Sequence, residues 1–214
     1  MSRKIKSDIV ILGGARDYHV VDWYRTIKKA LPDRKVIILT DLIQSEGYSR
    51  IINQNDCVES LFIIDKFLFK KQSKMGNLWR NIFKLLILPI QIIYLKNYVK
   101  KHSNSIFHAQ PMYYMFLCWL ANIKFVGTPQ GDEILIRPYE SKLYRYFAIQ
   151  SLKAADHISV DSINMQSEIK KMSGVNAFII RKGIDTKSLL YLKTVDRTRV
   201  TSIRGMTSLY RIKE

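Results

Sequence analysis

The sequence is short of the residues that most readily announce chemistry. Its 214 residues hold two cysteines, Cys57 and Cys118. Two thiols cannot build a disulfide framework, and neither stands at metal-ligand spacing, so no metal is expected and a reduced, cytosolic compartment fits. Neither GxGxxG nor GxxxxGK[ST] occurs, which disfavours a nucleotide-dependent epimerase or kinase. RNP, KH, helix-turn-helix and zinc signatures are also absent. The N-terminal MSRKIKSDIVILGG is basic and then apolar, but the apolar run is short and reaches Gly13-Gly14 without a small-residue cleavage site. It reads as a first strand and not as a signal peptide.

One absence is local. From Lys66 to Gly131 there is no Asp or Glu, against ten Lys or Arg. The whole chain has 35 basic and 18 acidic residues and a net charge of +17, so over half of the excess lies in this middle segment. Such a balance points to an anionic partner: a membrane surface, nucleic acid or a phosphorylated substrate. Within the segment Trp79, Phe83, Leu86, Ile90 and Ile93 or Tyr94 keep helical spacing. Lys84 and Lys96 bracket only eleven residues, with Pro89 and Gln91 inside, short of the roughly 20 apolar residues a spanning helix needs.

Two readings of that segment stay open. One is a basic amphipathic helix lying on an anionic bilayer, with Lys70, Lys71, Lys74, Trp79, Arg80 and Lys84 as its membrane-surface set. The other is a core helix with a basic outer face. The one-signed charge favours the bilayer, because a merely solvated face mixes signs. No nucleic-acid partner is expected, since the segment is too apolar to track duplex phosphates.

What is present is a run of α/β units. Asp8 to Leu12 is a continuous apolar stretch ending at Gly13-Gly14, the pattern of a central parallel strand. A helix over 18–31 follows, with Val20, Trp23, Tyr24 and Ile27 inward and Pro32 closing it. Lys35 to Thr40 is the next strand, and Cys57 to Ile64 contains a third. Strand, glycine turn, helix, strand opens a doubly wound fold. Gly13, Gly14 and Arg16 form either a loop that offers N–H groups to a phosphate or an ordinary tight turn.

Ser105 to His108 is a strand that puts His108 at its carboxyl end, where open α/β sheets hold ligands. The alternative is an ordinary hydrogen-bonded histidine. An apolar helix over 112–121 and a strand over 124–128 come next, then Pro129-Gln130-Gly131-Asp132-Glu133. Gly131-Asp132 is a substrate contact or a turn with a helix cap, and Asp132-Glu133 favours a helix N-terminus. One helix is expected from Arg137 to Lys153, with Tyr139, Leu143, Tyr146, Phe147 and Ile149 or Gln150 on its apolar face. His157 to Val160 is a strand. Asp161-Ser162 offers caps for a helix carrying Ile163, Ile169 and Met172, and Gly174 supplies the left-handed end. Phe178 to Ile180 is a buried-type strand, and Gly183 turns the chain.

This order resembles the first domain of GT-B glycosyltransferases of the family 4 type. Ala155-Asp156-His157-Ile158 with Ser162 is similar to that family's "a-A-D-x-I-x-x-x-S". Lys182-Gly183-Ile184-Asp185-Thr186 stands for "N-G-I/V-D", with Lys182 replacing Asn. His108, Phe125-Val126 and Gly131-Asp132 match a His-bearing strand end and "P-x-V-x-T-x-H-G-x-D". Gln130 replaces His there, keeping a hydrogen-bonding tip that takes no proton.

The resemblance implies a Rossmann-like parallel sheet with helices on both faces, the N-terminal half of a GT-B architecture. It implies an acceptor-side domain over 1–190, with 191–214 a linker and the start of a nucleotide-sugar-binding domain. His108, Gln130, Gly131 and Asp132 would then contact acceptor or substrate. No cofactor is expected on this chain; a nucleotide-sugar donor is expected for the intact enzyme, with the chain alone inert. The acceptor would be a glycan or lipid-linked precursor of cell-surface polysaccharide, at the inner face of the cell membrane. The rival expectation is a non-enzymatic basic α/β module that binds a membrane surface or nucleic acid.

Overall fold

The computed structural model describes residues 7–15, 17–41, 52–61 and 74–181, with the backbone alone at 74–78, 80 and 81. Arg16, Lys70, Lys71 and everything from Lys182 onward lie outside the described residues, including the Gly183-Ile184-Asp185 loop and the expected second-domain strand.

Seven parallel strands form the sheet: β1 (Ile9–Leu12), β2 (Val36–Thr40), β3 (Val58–Ser60), β4 (Ile106–Ala109), β5 (Val126–Gly127), β6 (His157–Val160) and β7 (Phe178–Ile179). Their spatial order is β3-β2-β1-β4-β5-β6-β7. The chain steps outward from β1 to β3 and then returns to lay β4 on the other side of β1, with Leu12 beside Ala109. That reversal is the topological switch point, where open α/β sheets leave a crevice at the strands' carboxyl ends. The Rossmann-like α/β architecture expected from the sequence is present.

The two sheet faces are covered differently. Ile9, Ile11, Val36 and Ile38 pack against Val20 and Tyr24 of α1 (Tyr18–Ala30). The alternate residues Val10, Leu12, Ile37, Leu39, Phe107 and Ala109 join the larger core on the opposite face. It includes residues of α2 (Lys74–Lys101), α3 (Met112–Leu120), α4 (Gly131–Leu135), α6 (Lys142–Ala154) and α7 (Ile163–Ser173). The short α5 (Arg137–Glu140) lies between α4 and α6. A period of two along each strand sends neighbouring residues to opposite cores, which is why these strands read as unbroken apolar runs.

Local chemistry sets the helix ends. Asp17 caps α1 by accepting the His19 N–H at 2.9 Å. Ser162 caps α7 through the Met165 N–H at 3.4 Å, and Gly174 ends that helix at φ +78°, where a side chain would be strained.

Three expectations need correction. The single helix over 137–153 is two, because Ser141 takes extended backbone and its Oγ accepts the Tyr144 N–H at 3.2 Å, starting a new helix. The inward face of α6 is Ala148, Ser151 and Leu152, while Tyr139, Leu143 and Tyr146 are exposed. The β7 strand is not buried: Phe178 is 61% exposed, because no described helix covers that edge of the α1 side.

The α2 helix carries apolar residues on both sides. Its inner face is Ile87, Gln91 and Leu95, all buried. The expected stripe points outward, with Trp79, Leu86, Ile90, Ile93 and Tyr94 exposed and joined by Ile82 and Leu85. By length and composition Ile82–Lys101 is enough to cross a membrane. Its inner face is nevertheless committed to the protein core, with Leu95 and half-buried Leu88 and Ile92 in the main cluster.

Candidate functional site

At the switch point the carboxyl ends of β1, β4, β5 and β6 bring a set of polar side chains together. Thr128 follows β5, and its amide bonds to the Ala109 carbonyl at 3.0 Å. His108 on β4 is buried, and both ring nitrogens have partners. Trp23 of α1 donates its indole N–H to Nδ1 at 3.0 Å. The Thr128 hydroxyl lies 2.7 Å from Nε2 and reaches on to the Ser159 hydroxyl of β6. An indole nitrogen only donates, so Nδ1 is the acceptor and Nε2 carries the hydrogen of the neutral ring. Burial pushes the His108 pKa down to about 4. The ring is therefore neutral at neutral pH, and its Nε2 side leads to the Thr128 and Ser159 hydroxyls.

Gln130 lies on the β5–α4 connection and donates from Nε2 to Asp17 Oδ2 at 2.8 Å. This bond ties that connection to the β1–α1 turn across the switch point. Asp17 also caps α1, so a carboxylate already occupies the helix N-terminus where the Gly13-Gly14-Arg16 loop was expected to receive a phosphate. Gly13 has a steric reason to be glycine. A Cβ there would lie 2.6 Å from Val20 Cγ1 and 2.7 Å from the Gln110 carbonyl oxygen. Both Gly13 and Gly14 are buried.

Gln110 follows β4, is 1% exposed, and its Oε1 has no hydrogen-bond partner. A buried acceptor without a donor costs on the order of 1–3 kcal/mol. Glu133, also buried, accepts the N–H groups of Gln130 and Met112, each at 2.9 Å. Burial pushes its pKa up to about 7. It links the starts of α3 and α4 beneath the crevice. Asp132 is paired with Arg137 at 2.6 Å, and Gly131 has open space where a Cβ would go. Of the four expected acceptor contacts, His108 and Gln130 join the crevice network. Asp132 is held by Arg137, and space does not require the glycine.

The basic set divides as well. Lys84 is turned inward: its ammonium lies 3.6 Å from the buried Asp41 carboxylate and 3.7 Å from the Tyr113 ring centroid. Asp41 also accepts from the Tyr114 hydroxyl and from Gln91 Nε2. Lys84 thus anchors α2 to the end of β2 and is not part of a free cationic row. Trp79 is exposed beside Phe83. Lys74 and Arg80 lie on the described backbone of α2. Among the described residues no group of His, Cys, Asp or Glu is arranged to hold a metal ion.

Sequence reasoning missed Asp17, Trp23, Gln110 and Ser159. Only Gln110 left a local trace, as the residue before a proline at the end of a strand; the others matter through contacts distant in the chain.

No family model matches this sequence, and no curated protein matches it. Among solved structures, it is similar to the crystal structure of Anabaena Alr3699/HepE in complex with UDP and glucose, with a TM-score of 0.54 and 17% identity. The match covers 84% of this chain and 45% of that one. The chain thus spans under half the length of that neighbour, and the likeness establishes a shared fold.

Proposed function

We propose that the chain is the acceptor-side half of a sugar-transferring enzyme of GT-B type. It holds a saccharide acceptor at the carboxyl edge, while a nucleotide-sugar donor is presented by a second domain. The observation that carries this reading is the makeup of the switch-point edge: neutral His108, hydroxyls on Thr128 and Ser159, the amide of Gln130 and the buried, unpaired acceptor of Gln110. Amides and hydroxyls match the alternating donors and acceptors of a neutral, hydroxyl-rich ligand. The neighbour of like fold was solved with UDP and glucose, the two parts of a nucleotide sugar, which supports sugar transfer.

In this role Thr128, held by His108 and Ser159, orients one acceptor hydroxyl. Gln110 Oε1 accepts from another, and Gln130, fixed by Asp17, closes the crevice wall. None of these groups takes a proton readily at neutral pH, so the chain binds and orients. The finer reading is a lipid-linked or cell-surface polysaccharide precursor handled at the cytoplasmic, inner face of the cell membrane. The exposed outer face of α2 and the acid-free segment around it favour that location.

Titration of neutral oligosaccharides and lipid-linked saccharides by ligand-observed NMR tests the reading. Binding that Gln110→Leu weakens about tenfold or more supports it, and unchanged binding in that variant overturns it. The second reading, a non-enzymatic module on an anionic membrane, is favoured by the same α2 surface. Anionic-vesicle flotation with no saccharide binding would select it.

A further inference from the structure

Between α2, α3 and α6 lies a recess of about 180 Å³, lined by Leu85 and Leu88, by Phe116 and Leu120, and by Phe147, with Lys84 and Tyr113 completing it. It opens onto the exposed apolar side of α2. Leu85 is shared between the two and is 69% exposed. Leu143, one turn from Phe147 on α6, is exposed to the same degree, and residues four apart stand on one helix face. Exposed apolar side chains on the helices that wall one recess mark an interaction surface. The recess differs from the rest of that surface in having aromatic walls from two further helices, with Phe116 and Phe147 edge-to-face at 5.8 Å.

The geometry points to a binding site for one hydrocarbon chain of a membrane lipid with an anionic headgroup. Two observations commit the occupant. The wall is hydrocarbon and aromatic apart from Lys84 and the Tyr113 hydroxyl, whose polar ends already serve Asp41 and Gln91, so the recess offers a ligand nothing but apolar contact. The segment 66–131 carries ten basic residues and no acid, and Lys96, Lys100 and Lys101, roughly two to four turns along α2 from Leu88, are exposed. An apolar chain with an anionic head complements both. A single lipid thereby leaves the bilayer plane and seats its chain in the protein, distinct from general adsorption of α2. The inference rests on the membrane part of the proposed function and is independent of sugar transfer.

Calorimetric titration of the chain with monomeric alkyl phosphates from butyl to dodecyl, with inorganic phosphate as control, tests it. The expected result is one site per chain, with affinity rising about fourfold per added methylene and levelling once the recess is full. Leu85→Asp, at an exposed position, keeps the urea midpoint and weakens dodecyl phosphate at least tenfold. Leu88→Trp fills the recess and shortens the chain length at which affinity levels. Affinity independent of chain length, or Leu85→Asp binding like the parent, overturns the proposal. Anionic-vesicle flotation that survives while dodecyl phosphate fails to bind removes the chain site and leaves surface adsorption intact. Saccharide titration is read separately, so failure there does not bear on the recess.

Discussion

Trp23 donates its indole N–H to Nδ1 of His108 at 3.0 Å, joining residues 85 positions apart. That bond fixes the tautomer and aims the Nε2 hydrogen at Thr128. Burial holds the pKa of the His108 ring at about 4.

His108 and Glu133 give stability opposite responses to pH. The unfolded chain protonates His108 below about 6.5, and the folded chain does so only near 4. Its contribution is therefore full above 6.5 and lost as pH falls through 4. Glu133 holds its proton up to about 7 when folded but releases it near 4.5 when unfolded. Its contribution is full below 4.5 and lost as pH rises through 7. Between pH 6.5 and 4.5 the two slopes oppose each other, each at most about 1.4 kcal/mol per pH unit. In urea titrations over that window, His108→Asn gains stability on acidification relative to the parent, and Glu133→Gln loses it. Two variants with the parental slope would refute the assignment.

Lys84 reaches in to the buried Asp41 carboxylate, and removing the lysine strands a buried charge. Lys84→Met is expected to destabilise the fold by about 3 kcal/mol, read from urea unfolding. A cost under about 1 kcal/mol would return Lys84 to the surface set.

The Gln130–Asp17 bond predicts a charge-specific penalty. Gln130→Glu sets a second carboxylate against Asp17 and costs more than Gln130→Ala, by on the order of 1 kcal/mol at low salt. The difference shrinks at high salt. Equal costs for the two variants, at every ionic strength, would contradict the contact.

Gly13→Ala brings a methyl within 2.7 Å of the Gln110 carbonyl and is expected to cost about 1–3 kcal/mol. Thermal unfolding at parental temperature would show that the β1–α1 turn moves aside freely.

The sheet was legible because its strands are buried on both faces: Ile9–Leu12 and Val36–Thr40 stand out as apolar runs with no period to misread. The caps at Ser162 and Gly174 were legible because capping is local chemistry. The inward face of α2 was not, since apolar residues line both sides and spacing alone cannot say which meets the core. The break at Ser141 was hidden because Tyr139, Leu143 and Tyr146 continue a helical spacing across it. The crevice was half legible. His108 and Gln130 announced themselves by their positions near the carboxyl ends of strands. What holds them, Trp23 and Asp17, lies 85 and 113 residues away, and no local pattern encodes a contact of that range.

Hydrogen exchange of the 214-residue chain with neutral or lipid-linked saccharides is the most direct measurement of the acceptor-side role, run alongside a nucleotide-sugar turnover assay. The expected result is slowed exchange at 13–17, 108–112 and 128–133, with neither transfer nor nucleotide-sugar hydrolysis by this chain. Slowed exchange confined to α2, or measurable turnover of a nucleotide sugar by the purified chain, would contradict it.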